Sequence, residues 1–123
     1  MKRFATSVLA TCFVTLMAFN NPALAADFAP VQRETEFREL VEGRDLTRFG
    51  IRLQVLREGR ITGRGFGVQV GGDWEWRNGY FCRTLEFGDS GDPLNCQLVL
   101  RNGNTLRFIS DRGEGDFADF RVR

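Results

Sequence analysis

The chain has 123 residues, 42% of them hydrophobic and 27% charged, with 14 glycines and three prolines, a composition that excludes a disordered or fibrous protein. It contains no histidine and its only lysine is Lys2, so the usual neutral-pH base, the commonest metal ligand and a Schiff-base lysine are missing beyond the N-terminal stretch. Seventeen basic side chains face 16 acidic ones for a net charge of +1. The arginines are scattered singly and form no stripe, which argues against a nucleic-acid partner.

Met1, Lys2 and Arg3 make a basic start, the run from Phe4 to Phe19 is mostly apolar, and Ala23-Leu24-Ala25 fits the small-x-small cleavage rule. Residues 1–25 therefore read as a cleavable signal peptide and 26–123 as a single β domain. The apolar run carries Thr6, Ser7, Thr11 and Thr15 and falls short of the roughly twenty apolar residues of a spanning helix, so no membrane anchor is expected after cleavage. Leu9-Ala10-Thr11-Cys12 resembles a lipobox only loosely, since Thr11 is a poor residue before the cysteine. The expected location is periplasmic or secreted. Cys82 and Cys96 then remain, an even pair in an oxidising compartment, and are expected to form a disulfide.

In chain order, Asp27 to Arg33 is an extended leader, and Thr35 caps a short helix that runs through Glu42 and ends at Gly43. Phe37, Leu40 and Val41 share one apolar face of that helix. From Arg48 to Leu56 strict alternation predicts one strand with Phe49, Ile51, Leu53 and Val55 on one face. Glu58-Gly59 turns the chain into a second strand from Ile61 to Val70, along which Gly63, Gly65 and Gly67 alternate with Phe66, Val68 and Val70. Gly71-Gly72 is read as a turn. Asn78-Gly79 is a type I′ hairpin signal that sets Arg77 opposite Tyr80, Trp76 opposite Phe81, Glu75 opposite Cys82 and Trp74 opposite Arg83. One face of this hairpin then carries Trp74, Trp76, Phe81, Arg83 and Leu85. The chain is expected to leave the sheet at Gly88 to Pro93 and to return over Leu94 to Arg101. A second I′-type hairpin at Asn102-Gly103 places Val99 opposite Leu106. Asp111 to Asp116 is a loop, and Phe117 to Arg123 closes the sheet. The fold class is thus mainly β: a single antiparallel meander of about seven strands, curled into a half or closed barrel, with one short N-terminal helix.

Chemical motifs are few. Gly88-Asp89-Ser90-Gly91 matches the surroundings of a serine-protease nucleophile, yet no histidine or lysine is present to take the serine proton, and a loop explains the residues. Asp111, Glu114 and Asp116 are weak candidates for a cation, with Asp89 and Asp92 in reserve, but the alternating EF-hand ligand pattern is missing and no metal is expected. Asp73, Glu75 and Glu86 sit at strand or turn positions that carboxylates normally occupy. Trp74, Trp76, Tyr80 and Phe81 form an aromatic hairpin that either fills the core or lines a ligand pocket. Arg83, opposite Trp74, is either a cation–π partner or an anchor for an acidic ligand group.

Leu40-Val41-Glu42-Gly43-Arg44 with Leu46-Thr47-Arg48-Phe49-Gly50-Ile51, Gly59-Arg60-Ile61 with Gly63, Trp74-x-Trp76, and Gly79-Tyr80-Phe81-Cys82-Arg83 share a pattern with Asn95-Cys96-Gln97 and with Arg107-Phe108 followed by Ser110-Asp111-Arg112-Gly113. Over nearly the whole chain beyond the leader, it resembles a family of small exported alphaproteobacterial proteins often labelled dihydrodipicolinate reductase. That label implies a nicotinamide-dependent cytosolic enzyme, a 4-hydroxy-tetrahydrodipicolinate reductase. The residues do not supply one: Gly63-x-Gly65-x-Gly67 is not G-x-G-x-x-G, no βαβ pattern surrounds it, and the chain is too short for a dinucleotide domain plus a substrate domain.

The sequence therefore predicts an exported, non-enzymatic binding domain without a cofactor, taking a small apolar ligand or a protein partner. A ligand-binding barrel would hold a cavity of about 300 Å3 or more lined by Trp74, Trp76 and Phe81. An interaction or inhibitor module would instead have a filled core and an exposed apolar patch. The loop closed by Cys82 and Cys96 is worth about 3 kcal/mol in the chain-entropy account. Urea denaturation of oxidised and reduced protein should differ by about that amount; coincident transitions would contradict the staple.

Overall fold

The computed structural model describes residues 27–123. The signal-peptide assignment, with Cys12, lies outside the described residues. Strand β1 (Ala29–Pro30) and helix α1 (Glu34–Val41) precede β2 (Leu46–Arg48), β3 (Ile51–Val55), β4 (Arg60–Gly65), β5 (Val68–Arg77), β6 (Tyr80–Phe87), β7 (Ser90–Asn102) and β8 (Thr105–Ile109). A short turn of helix, α2 (Ser110–Gly113), leads into β9 (Phe117–Val122). Strands β2 to β9 pair antiparallel in a continuous ring that is closed by β2 on β9 and by β7 on β8. The result is a closed eight-stranded barrel, with β1 as an extra strand alongside β7. Closure leaves few open edges, the main hazard of an exposed sheet.

The ring has one strand more than the sequence expectation because a tight turn interrupts what reads as one continuous strand, and a second turn falls elsewhere than expected. Phe49-Gly50 divides the stretch expected as one strand into β2 and β3, so Phe49 stands 91% exposed instead of on the apolar face. Phe66-Gly67, both with positive φ, make an I′-like turn between β4 and β5. Gly71-Gly72 is not a turn; both residues stay inside β5. A Cβ at Gly72 would lie 2.1 Å from the Thr84 carbonyl oxygen, so glycine serves close backbone approach there. The chain does not leave the sheet at Gly88 to Pro93 either. Gly88-Asp89 is a tight turn, and β7 starts at Ser90. The register between β6 and β7 shifts between Arg83 and Leu85, so a bulge at Pro93-Leu94 absorbs the proline, which has no N–H to pair.

The Asn78-Gly79 hairpin has the register its turn type dictates, with Trp76 opposite Phe81 and Cys82 opposite Glu75 on one side. Across β7, Cys82 faces Cys96 and the two form a disulfide. The second hairpin is displaced by two residues: Asn102 pairs with Thr105 and Val99 with Phe108. Gly103 alone has positive φ, as at the first central position of a II′ turn, so Gly103-Asn104 is the loop. A shift of two preserves the faces, which is why Val99 and Leu106 are still both buried.

Helix α1 starts one residue before Thr35, which therefore does not cap it; Arg33 occupies the cap position without a side-chain bond. Packing fixes this helix, since two turns are marginal in water. Phe37 is 0% exposed and sits among Trp76 (centroid distance 5.1 Å), Phe81 (5.0 Å), Trp74 (5.6 Å) and Phe108 (6.4 Å). The Trp74 indole N–H donates to the Leu56 carbonyl at 2.8 Å, so this buried polar atom is satisfied. Arg38 lies over the Trp74 ring at 4.8 Å and donates to the Arg57 carbonyl, which ties the helix to the β3–β4 turn. The helix thus plugs the barrel end at which the β3–β4, β5–β6 and β7–β8 turns lie. Truncating Phe37 to alanine should cost about 3–5 kcal/mol, and Phe37→Leu about 1 kcal/mol, in urea unfolding. A loss below 1 kcal/mol for the alanine variant would mean that the plug is not integral to the core.

Candidate functional site

The opposite end of the barrel is open. Its hairpins turn at Phe49-Gly50, Phe66-Gly67 and Gly88-Asp89, and inward positions on their strands are Ile51, Gly65, Val70 and Phe87. These line a mouth of about 340 Å3, together with Leu53, Leu85 and Phe120 and with Ser90, Gly91 and Asp92 from β7. A Cβ at Gly65 would meet the Phe87 ring at 2.8 Å, so this position is bare where a side chain would narrow the mouth. Phe49 and Phe66, 91% and 65% exposed with rings 6.4 Å apart, stand on neighbouring turns at the rim.

Leu53, Leu85 and Phe120 also belong to a deeper cavity of about 150 Å3, smaller than the size expected of a ligand-binding barrel; mouth and cavity together reach that size along one shared apolar wall. Leu46, Val55, Ile61, Phe81, Phe108 and Ala118 complete the apolar lining of the inner space. Only Arg83 and Gln97 are polar among its lining residues. Both face inward from adjacent strands, Gln97 opposite Phe81 and Arg83 two residues further along β6. Gln97 is buried and donates from Nε2 to the Ser110 hydroxyl at 3.3 Å.

Of the residues singled out in the sequence, Phe81 and Arg83 line this cavity, and Trp74, Trp76 and Tyr80 do not. The two tryptophans pack on Phe37 in the plugged half, because the helix occupies the space they would otherwise enclose. Tyr80 lies on the outer wall, where Arg112 approaches its ring at 6.0 Å. The cation over Trp74 is Arg38, not Arg83, which removes the cation–π assignment of Arg83. Sequence reasoning did not bring Leu53, Leu85, Gln97 and Phe120 to the site. Alternation grouped Leu53 and Leu85 with the apolar faces of their strands, but only closure of the ring puts β3, β6, β7 and β9 around one space.

The other candidates stay apart. Asp73, Glu75 and Glu86 are exposed, and Glu75 pairs with Arg77. Ser90 lines the mouth. Asp111 lies in a left-handed turn with Arg112, and Asn95 clamps it by donating to its carboxylate at 2.8 Å and accepting from its N–H at 3.0 Å. Among the described residues no three acidic or cysteine side chains gather to hold a metal ion, and no helix is long and apolar enough to cross a membrane.

Two arginines show opposite electrostatics. Arg107, on the outer wall, donates through Nε and Nη2 to both oxygens of Asp119 at 2.8 and 2.9 Å. Its guanidinium is sandwiched between Phe117 (4.1 Å) and Phe28 (4.2 Å), which pins the leader segment to the barrel. The Arg83 side chain is 11% exposed, yet its nearest polar partners are the Pro93 carbonyl at 3.4 Å and Asp92 at 3.9 Å. Burial lowers its pKa from the ordinary arginine value, and Asp92 only partly offsets this.

The fold and site together define a small closed antiparallel barrel with a helix in one end and an apolar pocket in the other. Compared with known proteins, the chain matches no family model, no curated protein and no solved structure.

The hydrogen bonds from Arg107 hold the Asp119 carboxyl below its ordinary range, against an opposing effect of burial, with the charges of Arg107 and Arg48 assisting. A depressed carboxylate contributes stability that is complete above its unfolded value, about 3.9, and disappears as pH falls through the lower folded value. The stability gap between wild type and Asp119→Asn should therefore close between about pH 5 and pH 2 in urea titrations. A gap unchanged over that range would contradict the pairing.

Proposed function

We propose that the protein is an exported, non-enzymatic binding domain that takes a small apolar ligand through the open end of the barrel. The observation that carries this reading is the continuous apolar wall of Leu53, Leu85 and Phe120, shared by the mouth and an inner cavity that no side chain fills. Ligand sites are typically concave and mostly apolar, with a few polar groups for orientation. The Cys82–Cys96 disulfide fits a periplasmic or secreted location, because such bonds persist in oxidising compartments. The antiparallel ring offers no βαβ crossover to cradle a dinucleotide, which weighs against the reductase label.

A protein partner is the second reading, favoured by the exposed aromatics Phe49 and Phe66 on the rim. The two readings separate in one titration. N-phenyl-1-naphthylamine fluorescence should rise with micromolar affinity on wild-type protein, and Leu85→Trp, which fills the shared wall, should weaken it at least tenfold. Phe49→Ser should leave it nearly unchanged. Equal dye affinity in wild type and Leu85→Trp, with both folded by thermal melting, would reject the pocket and leave the rim as the binding surface.

A further inference from the structure

We propose that the ligand is a monocarboxylate amphiphile, its acid group held by the Arg83 guanidinium and its hydrocarbon part lying against Leu53, Leu85 and Phe120. This inference rests on the apolar-pocket reading above and specifies the chemistry of what the pocket takes.

Inward positions of a small barrel normally carry apolar side chains. Here β6 presents Phe81, Arg83 and Leu85 in succession, so a cation stands in the middle of an apolar lining. A charge withdrawn from water is costly unless it is matched by an opposite charge and hydrogen bonds. Arg107 shows a matched arginine in the same chain: two bonds under 3 Å to one carboxylate, in fork geometry. Arg83 has no such match among the described residues. Its Nη1 reaches the Pro93 carbonyl at 3.4 Å, and its Nη2 is 3.9 Å from a carboxylate oxygen of Asp92, a side chain 68% exposed. Most of its five donors have no partner among the described residues.

The local backbone explains how Arg83 is held in this state. The bulge at Pro93-Leu94 interrupts pairing beside Arg83, and the neighbouring Cys82–Cys96 crosslink fixes the two strands next to it. The guanidinium therefore faces the cavity on a braced segment, with Gln97 as its diagonal neighbour on β7. A planar fork of donors fits a carboxylate in bidentate fashion, and a single fork fits a single acid group. The tail then follows the wall common to cavity and mouth. Desolvation of Arg83 points the same way, since an incoming carboxylate would relieve it.

The test is calorimetric titration of the purified protein with decanoate and with 1-decanol. Wild type should bind decanoate at least tenfold more tightly than decanol, the range expected of a charge-assisted pair. Arg83→Gln should reduce that preference to about one while leaving decanol within about twofold of wild type. Asp92→Asn, at an exposed position, should tighten decanoate severalfold without changing decanol; it keeps the test decisive if Arg83→Gln fails to fold. Equal binding of acid and alcohol by wild type, a preference retained in Arg83→Gln, or no effect of Asp92→Asn on decanoate would each overturn the proposal. If the naphthylamine dye and decanol bind while the acid has no advantage, the pocket stands and only the acid anchor falls. If dye, acid and alcohol all fail to bind, both readings fall together.

Discussion

An eight-stranded barrel is just wide enough for its own side chains to fill, and this one is filled from one end by Phe37. The ring contacts Trp74, Trp76, Phe81 and Phe108, four aromatics contributed by β5, β6 and β8, so a single side chain from outside the barrel joins three of its strands. Burying such a side chain is worth about 1.5–3 kcal/mol, and each well-placed aromatic pair adds about 0.5–1.5 kcal/mol. That is enough to hold an eight-residue helix that would not persist alone. The same arrangement decides where function sits. The large rings gather around Phe37, and beyond Phe81 and Phe108, which also border the cavity, its apolar wall is made of smaller side chains and Phe120, so that space remains there.

The disulfide and the bulge serve this division. Cys82 and Cys96 lock β6 to β7 next to the point where their pairing shifts. On the plug side of the crosslink, Phe81 joins the aromatic cluster; on the other side, Arg83 enters the cavity. Arg107 and Arg83 then show how one residue type takes two roles. On the outer wall Asp119 takes two bonds from a guanidinium that Phe28 and Phe117 stack on, and it fastens the leader. Inside the barrel none of the described residues offers Arg83 the same match.

Much of the scaffold was legible in the sequence where local chemistry and global fold agree. Asn78-Gly79 fixed a register, and from it followed the face shared by Trp74, Trp76, Phe81 and Arg83. The glycine after Glu42 ended the helix. Reading failed where glycine had two physical uses. Gly71-Gly72 looks like a turn but permits Thr84 to approach, while Phe66-Gly67 is a turn although its first residue is an aromatic that rarely takes positive φ. Phe49 continued a perfect alternation and so hid the turn it occupies. The cavity was illegible for a different reason: pattern tells which side chains point inward, but not which end a helix will plug. Trp74 and Trp76 therefore read either as core or as pocket wall, and packing on Phe37 makes them core.

One half of the barrel is packed and the other holds unfilled apolar space. Dry apolar cavities take up xenon, so a crystal of the protein under xenon pressure tests this directly. A xenon atom should bind among Leu53, Leu85 and Phe120, and none between Phe37 and the two tryptophans. A barrel interior without xenon at the first position, its side chains closed over the space, would contradict it.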